Sequence, residues 1–241
     1  MSEAVQLAKA AREQLAAALN ALQAGAGLEP GKLCVYNVKR PFATTVFGGI
    51  RGNGSALSSV PATQNEARGK QSEMLGNLYL MLHGDSADGA TFWGEDSRTR
   101  RLIEAFDTSC IPARGSGVVF SGACWGGLIV TRRAAAQDPA RLPQPKTVEN
   151  SVALSALRAG YRGFVGCTGA HYSPMKAQPD MAGGPMHVHF WRSLAIDKSP
   201  ALALFNAKRA FEANFPPSDD AGDDAINQKI LRQFTCLGLG W

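Results

Sequence analysis

The sequence predicts an α/β fold: a parallel or mostly parallel central sheet with helices on both faces. Two observations carry the prediction. Three short runs, 77–82 (NLYLML), 117–121 (GVVFS) and 161–167 (YRGFVGC), are apolar almost without interruption, as strands buried on both faces are. Between and after them lie segments with helical patterning, so strand and helix alternate along the chain.

Residues 3–23 read as a helix, with Val5, Leu7, Leu15, Leu19 and Leu22 among many alanines and Gly25 and Gly27 ending it. Its apolar stripe is thin, which places it on the outside of the domain. A short β-like run, 33–38, precedes a Gly- and Ser-rich passage, 44–71, expected to be a long loop or a set of short strands. Loops of that length in compact domains are usually functional or mobile. After the strand 77–82, residues 101–106 are expected to form a short helix. The strand 117–121 is expected to lead through a glycine-rich turn into a helix over 128–136. A helix over 151–159 precedes the strand 161–167. Two helices follow, 188–195 and 199–214, the second opened by Ser199 as N-cap and Pro200 at the first helical position. A polar break, PPSDDAGDD, separates them from a last helix over 225–234.

Composition excludes several classes. Over 241 residues, 45% hydrophobic and 19% charged content describes a soluble domain large enough to bury its own core. No stretch reaches 18 uncharged apolar residues, so no membrane span is expected. The 25 Lys+Arg exceed the 20 Asp+Glu by five, but the excess is scattered in small groups such as Arg98, Arg100 and Arg101 or Arg132 and Arg133. A nucleic-acid binder gathers such charge on one face with aromatics between, so no nucleic-acid partner is expected. Five cysteines without a CxxC pair argue for free thiols in a reducing cytoplasm and against structural zinc. The opening MSEAVQLAKAAREQ carries charge where a secretion signal would be apolar. No metal or cofactor is expected. The acidic stretch 219–224 lacks calcium-loop spacing and reads as a solvated connector.

In parallel α/β sheets, ligands bind beyond the carboxyl ends of the strands. The strand 77–82 runs into His83-Gly84-Asp85, and the strand 117–121 into Gly122-Ala123-Cys124-Trp125-Gly126-Gly127. If the two strands are neighbours, about 4.8 Å apart, His83 and Cys124 converge. The pair makes chemical sense. A thiolate is the nucleophile, and a nearby imidazole takes its proton or stabilises its charge. The backbone N–H groups of Gly84 and Cys124 are the candidate oxyanion donors, a contribution of roughly 3 to 4 kcal/mol per donor. The helix expected after Gly127 would point its positive end at the thiolate. Cys34, Cys110, Cys167 and Cys236 read as buried, inert thiols.

An apolar strand ending in His-Gly, then a second ending in Ala-Cys, resembles the caspase, gingipain and clostripain group of cysteine peptidases (clan CD), closest to its CHAT and gingipain-like branch. The segment HFWRSLAIDKSPALALFNAKRAFEANF is similar to that group's paired helices behind the active site. The resemblance spans about residues 75–215. It implies a caspase-like three-layer fold in a single peptidase domain over 1–241, with a helical extension 1–30, a catalytic core 31–215 and a C-terminal helix and tail 216–241. It also implies a cysteine endopeptidase, with His83 as general base and Cys124 as nucleophile, working through an acyl-enzyme. The implied partners are a protein or peptide substrate and an activating partner or processing event. The segments 44–71 and 171–185 are the candidate loops for such activation.

Two rival readings stand beside this one. Gly122-Ala-Cys124-Trp-Gly126 also fits G-x-[SC]-x-G, the nucleophile elbow of α/β hydrolases and amidotransferase-like hydrolases, in which His171, His187 or His189 would serve as base. The other rival is a non-enzymatic, interaction-only member of the fold. Specificity is left open: Asp85, Asp88, Glu95, Asp96 and Asp180 are candidate partners for a basic side chain, Arg51 for an acidic one, and Phe92, Trp93 and Trp125 for an apolar one.

Overall fold

The computed structural model describes residues 12, 13, 16, 31–131, 144–216 and 220–238. A six-stranded sheet forms its centre, in the order β10-β9-β6-β3-β1-β2. The strands are β1 (Lys32–Asn37), β2 (Gly54–Ser59), β3 (Asn77–Met81), β6 (Val118–Ser121), β9 (Gly163–Cys167) and β10 (Phe234–Leu237). All neighbours run parallel except β10, which pairs antiparallel with β9.

Alternate residues of each strand feed opposite cores, as the pleat requires. Cys34, Tyr79, Met81, Val118, Phe120 and Val165 face one side, against α1 (Phe42–Gly48), α4 (Gly184–Asp197) and α5 (Pro200–Asn214). Leu33, Val35, Leu78, Leu80, Val119 and Phe164 face the other, against α2 (Gln64–Arg68), α3 (Val152–Arg158) and a hairpin of β4 (Thr91–Glu95) and β5 (Leu102–Asp107). The result is the expected α/β three-layer arrangement. Each large apolar side chain buried this way contributes roughly 1.5 to 3 kcal/mol. The helix ends are fixed locally: Ser151 caps α3 through Leu154 N–H, and Ser199 caps α5 with Pro200 at its first position.

Several elements differ from expectation. Residues 101–106 lie mostly in strand β5, not a helix. Leu102 and Phe106 have helical spacing, but Leu102 is exposed and the backbone pairs with β4 instead. The helix expected over 128–136 is absent where it is described: β7 (Val130–Thr131) pairs antiparallel with β8 (Gln144–Pro145), and 132–143 lie outside the described residues. The Gly- and Ser-rich passage 44–71 is mostly ordered secondary structure, namely the end of α1, the edge strand β2 and α2 with its Thr63/Glu66 capping box. The last helix, α6 (Ala221–Gln233), starts inside the supposed acidic connector, because Asp220 caps it through the N–H groups of Gly222 and Asp223. Most of the helix expected over 3–23 lies outside the described residues; Arg12, Glu13 and Ala16 are helical and exposed.

Candidate active site

β3 and β6 are direct neighbours, so the His83 and Cys124 segments leave the same edge of the sheet side by side. The approach is close. A Cβ on Gly84 would lie 2.1 Å from the carbonyl oxygen of Cys124, so only glycine allows the two chain segments to touch here. Among the described residues, neither the Gly84 nor the Cys124 N–H meets an acceptor.

His83 is held from two sides. Its backbone pairs antiparallel with Trp93, N–H to carbonyl in both directions at 2.8 and 3.0 Å. Glu95 lies two residues beyond Trp93, on the same face of β4, and its Oε2 stands 3.1 Å from His83 Nε2. Lys39 Nζ binds the other carboxylate oxygen at 2.5 Å. Those partners, led by the Lys39 hydrogen bond, lower the Glu95 pKa against the opposing effect of burial. Asn37, buried at the end of β1, places Nδ2 2.8 Å from the same His83 Nε2, while its Oδ1 accepts the Lys39 backbone N–H.

Asn37 and Glu95 make opposite demands on one nitrogen. The Asn37 amide needs a lone pair on Nε2, whereas the Glu95 carboxylate needs a proton there. The charge-assisted bond is the stronger, so Nε2–H to Glu95 is favoured. That tautomer leaves the lone pair on Nδ1.

The Cys124 turn is tied to β9. Trp125, at φ 54°, adopts the left-handed conformation and donates its N–H to Gly169 O at 3.0 Å; Gly127 N–H binds Cys167 O at 2.8 Å. Cys124 is partly exposed, and its Sγ accepts the backbone N–H of His171 at 3.2 Å. None of the described residues from 128 to 131 is helical, so the positive helix end expected just after Gly127 is not found among them. Arg40 supplies a positive charge instead: its guanidinium, tethered to Ser173 Oγ at 2.9 Å, interacts electrostatically with both Cys124 and Glu95.

The nucleophile-elbow reading meets two obstacles. An elbow needs a strand–turn–helix, and its histidine needs a free ring nitrogen. No helix follows this turn among the described residues, and both His171 nitrogens are engaged, with His187 and Gln233. His187 is fully buried, and His189 bonds Asn214 on α5.

The candidate specificity residues have local work. Asp85, Asp88 and Asp96 accept backbone N–H groups of their own turns, and Asp85 and Asp88 also attract the buried amine of Lys146. Glu95 is bound to His83 and Lys39, Phe92 belongs to the core, and Trp93 pairs with His83. Arg51 is exposed. The cysteines other than Cys124 are poor nucleophiles: burial raises the thiols of Cys34 and Cys167 well above the ordinary range, Cys110 to about 12 and Cys236 to about 11.

Asn37, Arg40 and the role of Glu95 were missed by sequence reasoning. A signal for two of them existed. Asn37-Val-Lys-Arg40 directly follows the apolar run of β1, at the same carboxyl edge of the sheet as His83.

No family model matches the sequence, and no curated protein matches it. Among solved structures, the fold is similar to the Arg-specific cysteine proteinase gingipain R (RgpB), with a TM-score of 0.50 and 10% identity, covering 87% of this chain and 46% of that one. It is also similar to the complex of Porphyromonas gingivalis RgpB pro- and mature domains, with a TM-score of 0.55 and 11% identity, covering 87% of this chain and 47% of that one. The chain thus spans about half the length of each of these structures. The likeness defines the class of fold, a mostly parallel caspase-like α/β sandwich. The particular fold it matches is that of a gingipain, a cysteine proteinase.

Proposed function

We propose that the chain is a clan CD cysteine peptidase of the gingipain-like kind, with His83 as general base and Cys124 as nucleophile. The observation that supports it is the meeting of the two halves. The His83–Gly84 backbone abuts the Cys124 turn while Glu95 accepts the hydrogen bond of His83 Nε2–H. With Nε2 so committed, Nδ1 takes the proton from the Cys124 thiol. The sulfur attacks the scissile carbonyl carbon, and the Gly84 and Cys124 N–H groups receive the oxyanion. His83 passes its proton to the leaving amine as the C–N bond breaks, giving a thioester. Water then attacks the thioester as His83 takes its proton, the C–S bond breaks, and the departing Cys124 thiolate takes that proton back from His83. Arg40 stabilises the thiolate before it attacks and again as it leaves.

Activation by a partner or processing event acts on the segment between β9 and α4, because this segment both borders Cys124 and holds Arg40 through Ser173. The RgpB complex of pro- and mature domains is a precedent for such control in a protein of this fold. A reducing cytoplasm is the compartment in which five free thiols are stable. Among the described residues no helix is long and apolar enough to cross a membrane.

The test is cleavage of a diverse peptide library by the wild type, Cys124→Ala and His83→Ala. Cleavage by the wild type and none by either variant is the expected result. Turnover that survives loss of His83 would return the elbow reading. A silent wild type whose Cys124 reacts no faster than free cysteine with an electrophilic peptide would leave an interaction-only protein.

A further inference from the structure

The N–H donated to Cys124 Sγ belongs to His171, in the segment that follows β9. The side chain of His171 anchors that backbone. Its Nε2 faces His187 Nε2 at 3.0 Å, its Nδ1 faces the Gln233 amide at 3.2 Å, and its ring packs edge-on against Phe234. His187, on α4 and fully buried, meets the Tyr79 hydroxyl of β3 at 2.7 Å through Nδ1 and lies among Phe42, Phe120 and Phe234. One chain of hydrogen bonds therefore ties β3, α4, the segment after β9 and the end of α6 beneath the sulfur.

Proton counting gives this chain a direction. Two facing Nε2 atoms need one proton between them, which a pair of neutral rings supplies. Burial lowers both pKa values, His171 to about 3 with nearby Arg40 adding to the effect. Tyr79 O–H donates to His187 Nδ1, His187 Nε2–H donates to His171 Nε2, and His171 Nδ1–H then needs an acceptor. Gln233 provides one when its amide oxygen is placed toward His171, an assignment that also gives its otherwise partnerless Oε1 a donor. The opposite direction strands the Tyr79 proton as well.

We propose that His187 is a positioning residue for Cys124: by hydrogen-bonding the His171 ring it holds the His171 backbone N–H on the sulfur, where it favours thiolate over thiol. The proposal rests on the reading of Cys124 as the nucleophile. The other groups acting on this sulfur are His83, its proposed base, from the end of β3, the Arg40 cation, from the segment after β1, and the buried neutral thiol of Cys167 on β9.

The test is the rate of Cys124 alkylation by iodoacetamide, resolved from the other thiols by peptide mass mapping, in the whole chain. His187→Phe keeps a ring among three phenylalanines and removes both nitrogens; His187→Gln retains an amide near Nε2. The expected result at pH 7 is about tenfold slower alkylation in His187→Phe, the worth of one hydrogen bond to a charged atom. His187→Gln should recover most of the loss, and the deficit should close by about pH 10, where thiols are ionised. Wild-type alkylation by a folded His187→Phe overturns the proposal. If that variant does not fold, Tyr79→Phe decides: about threefold slowing supports the chain, and no slowing ends it. Alkylation needs no peptide, so a failed peptidase reading leaves this measurement standing.

Discussion

The two halves of the candidate site are held by opposite physics. His83 sits at an exposed edge, a third of its side chain open to solvent, and is oriented by a charged set, Glu95 with Lys39 behind it. Cys124 is backed by a neutral chain, fully buried at Tyr79 and His187 and partly so at His171, in which the contacts are set by shape and by shared protons. Charge at an edge tolerates small movements and is weakened by salt. A buried neutral chain is the reverse: indifferent to salt and intolerant of a missing partner.

The comparison breaks most completely where the halves touch. Gly84→Ala places a Cβ against the Cys124 carbonyl and forces the segments apart. The expected loss in kcat/KM is about a hundredfold or more, since displacement near 1 Å costs that much in oriented reactions. An undiminished kcat/KM in a folded variant would show that the halves need not touch.

Glu95→Gln tests the charged half alone. It keeps the shape and an acceptor for Nε2–H but removes the charge, so kcat should fall about tenfold, the worth of a hydrogen bond to a charged group, with KM little changed. A KM effect without a kcat effect would make Glu95 a substrate contact.

Acid sharpens the contrast further. His171 and His187 are neutral in the fold with lowered pKa values, so below the ordinary value of 6.5 the unfolded chain binds protons that the fold refuses. Stability is full above pH 6.5 and falls toward pH 3, by at most about 1.4 kcal/mol per pH unit for each ring. Glu95, also lowered, is ionised in both states above 4.5, and its contribution is lost only as pH falls through its lower folded value. The buried half should therefore weaken first on acidification. Denaturant melts at pH 7, 6 and 5 check this: a downward slope in the wild type, reduced in His187→Phe, is expected, and a flat wild-type profile contradicts it.

The sheet was legible because β3, β6 and β9 are buried on both faces and announce themselves as unbroken apolar runs. His83 and Cys124 were legible as the residues where two of those runs stop. The β4–β5 hairpin was not: LIEAFD has apolar residues at helical spacing, and its true pairing carries a register shift between Phe92 and Trp93 that breaks simple alternation. Glu95 therefore appeared as one carboxylate among five, since only the pairing of Trp93 with His83 distinguishes it. Arg40 was marked only by its place just past the end of β1, and Gln233 lies far from Cys124 in sequence with nothing local that points toward a thiol.

The strand β10 has a consequence for the order in which the molecule is made. Phe234 begins β10 and packs on both His171 and His187, while Gln233 just before it receives Thr168 on its carbonyl and His171 on its side chain. At a synthesis rate of about 5–20 residues per second, Cys124 is added to the chain roughly 5 to 20 seconds before these residues exist. For the later part of that interval, once β9 has been made, β9 has an unpaired edge and the neutral chain under the sulfur lacks its last member. The final strand thus closes the sheet and completes the support of the thiol in a single event, so a nascent chain carries its candidate nucleophile before it carries the means to activate it.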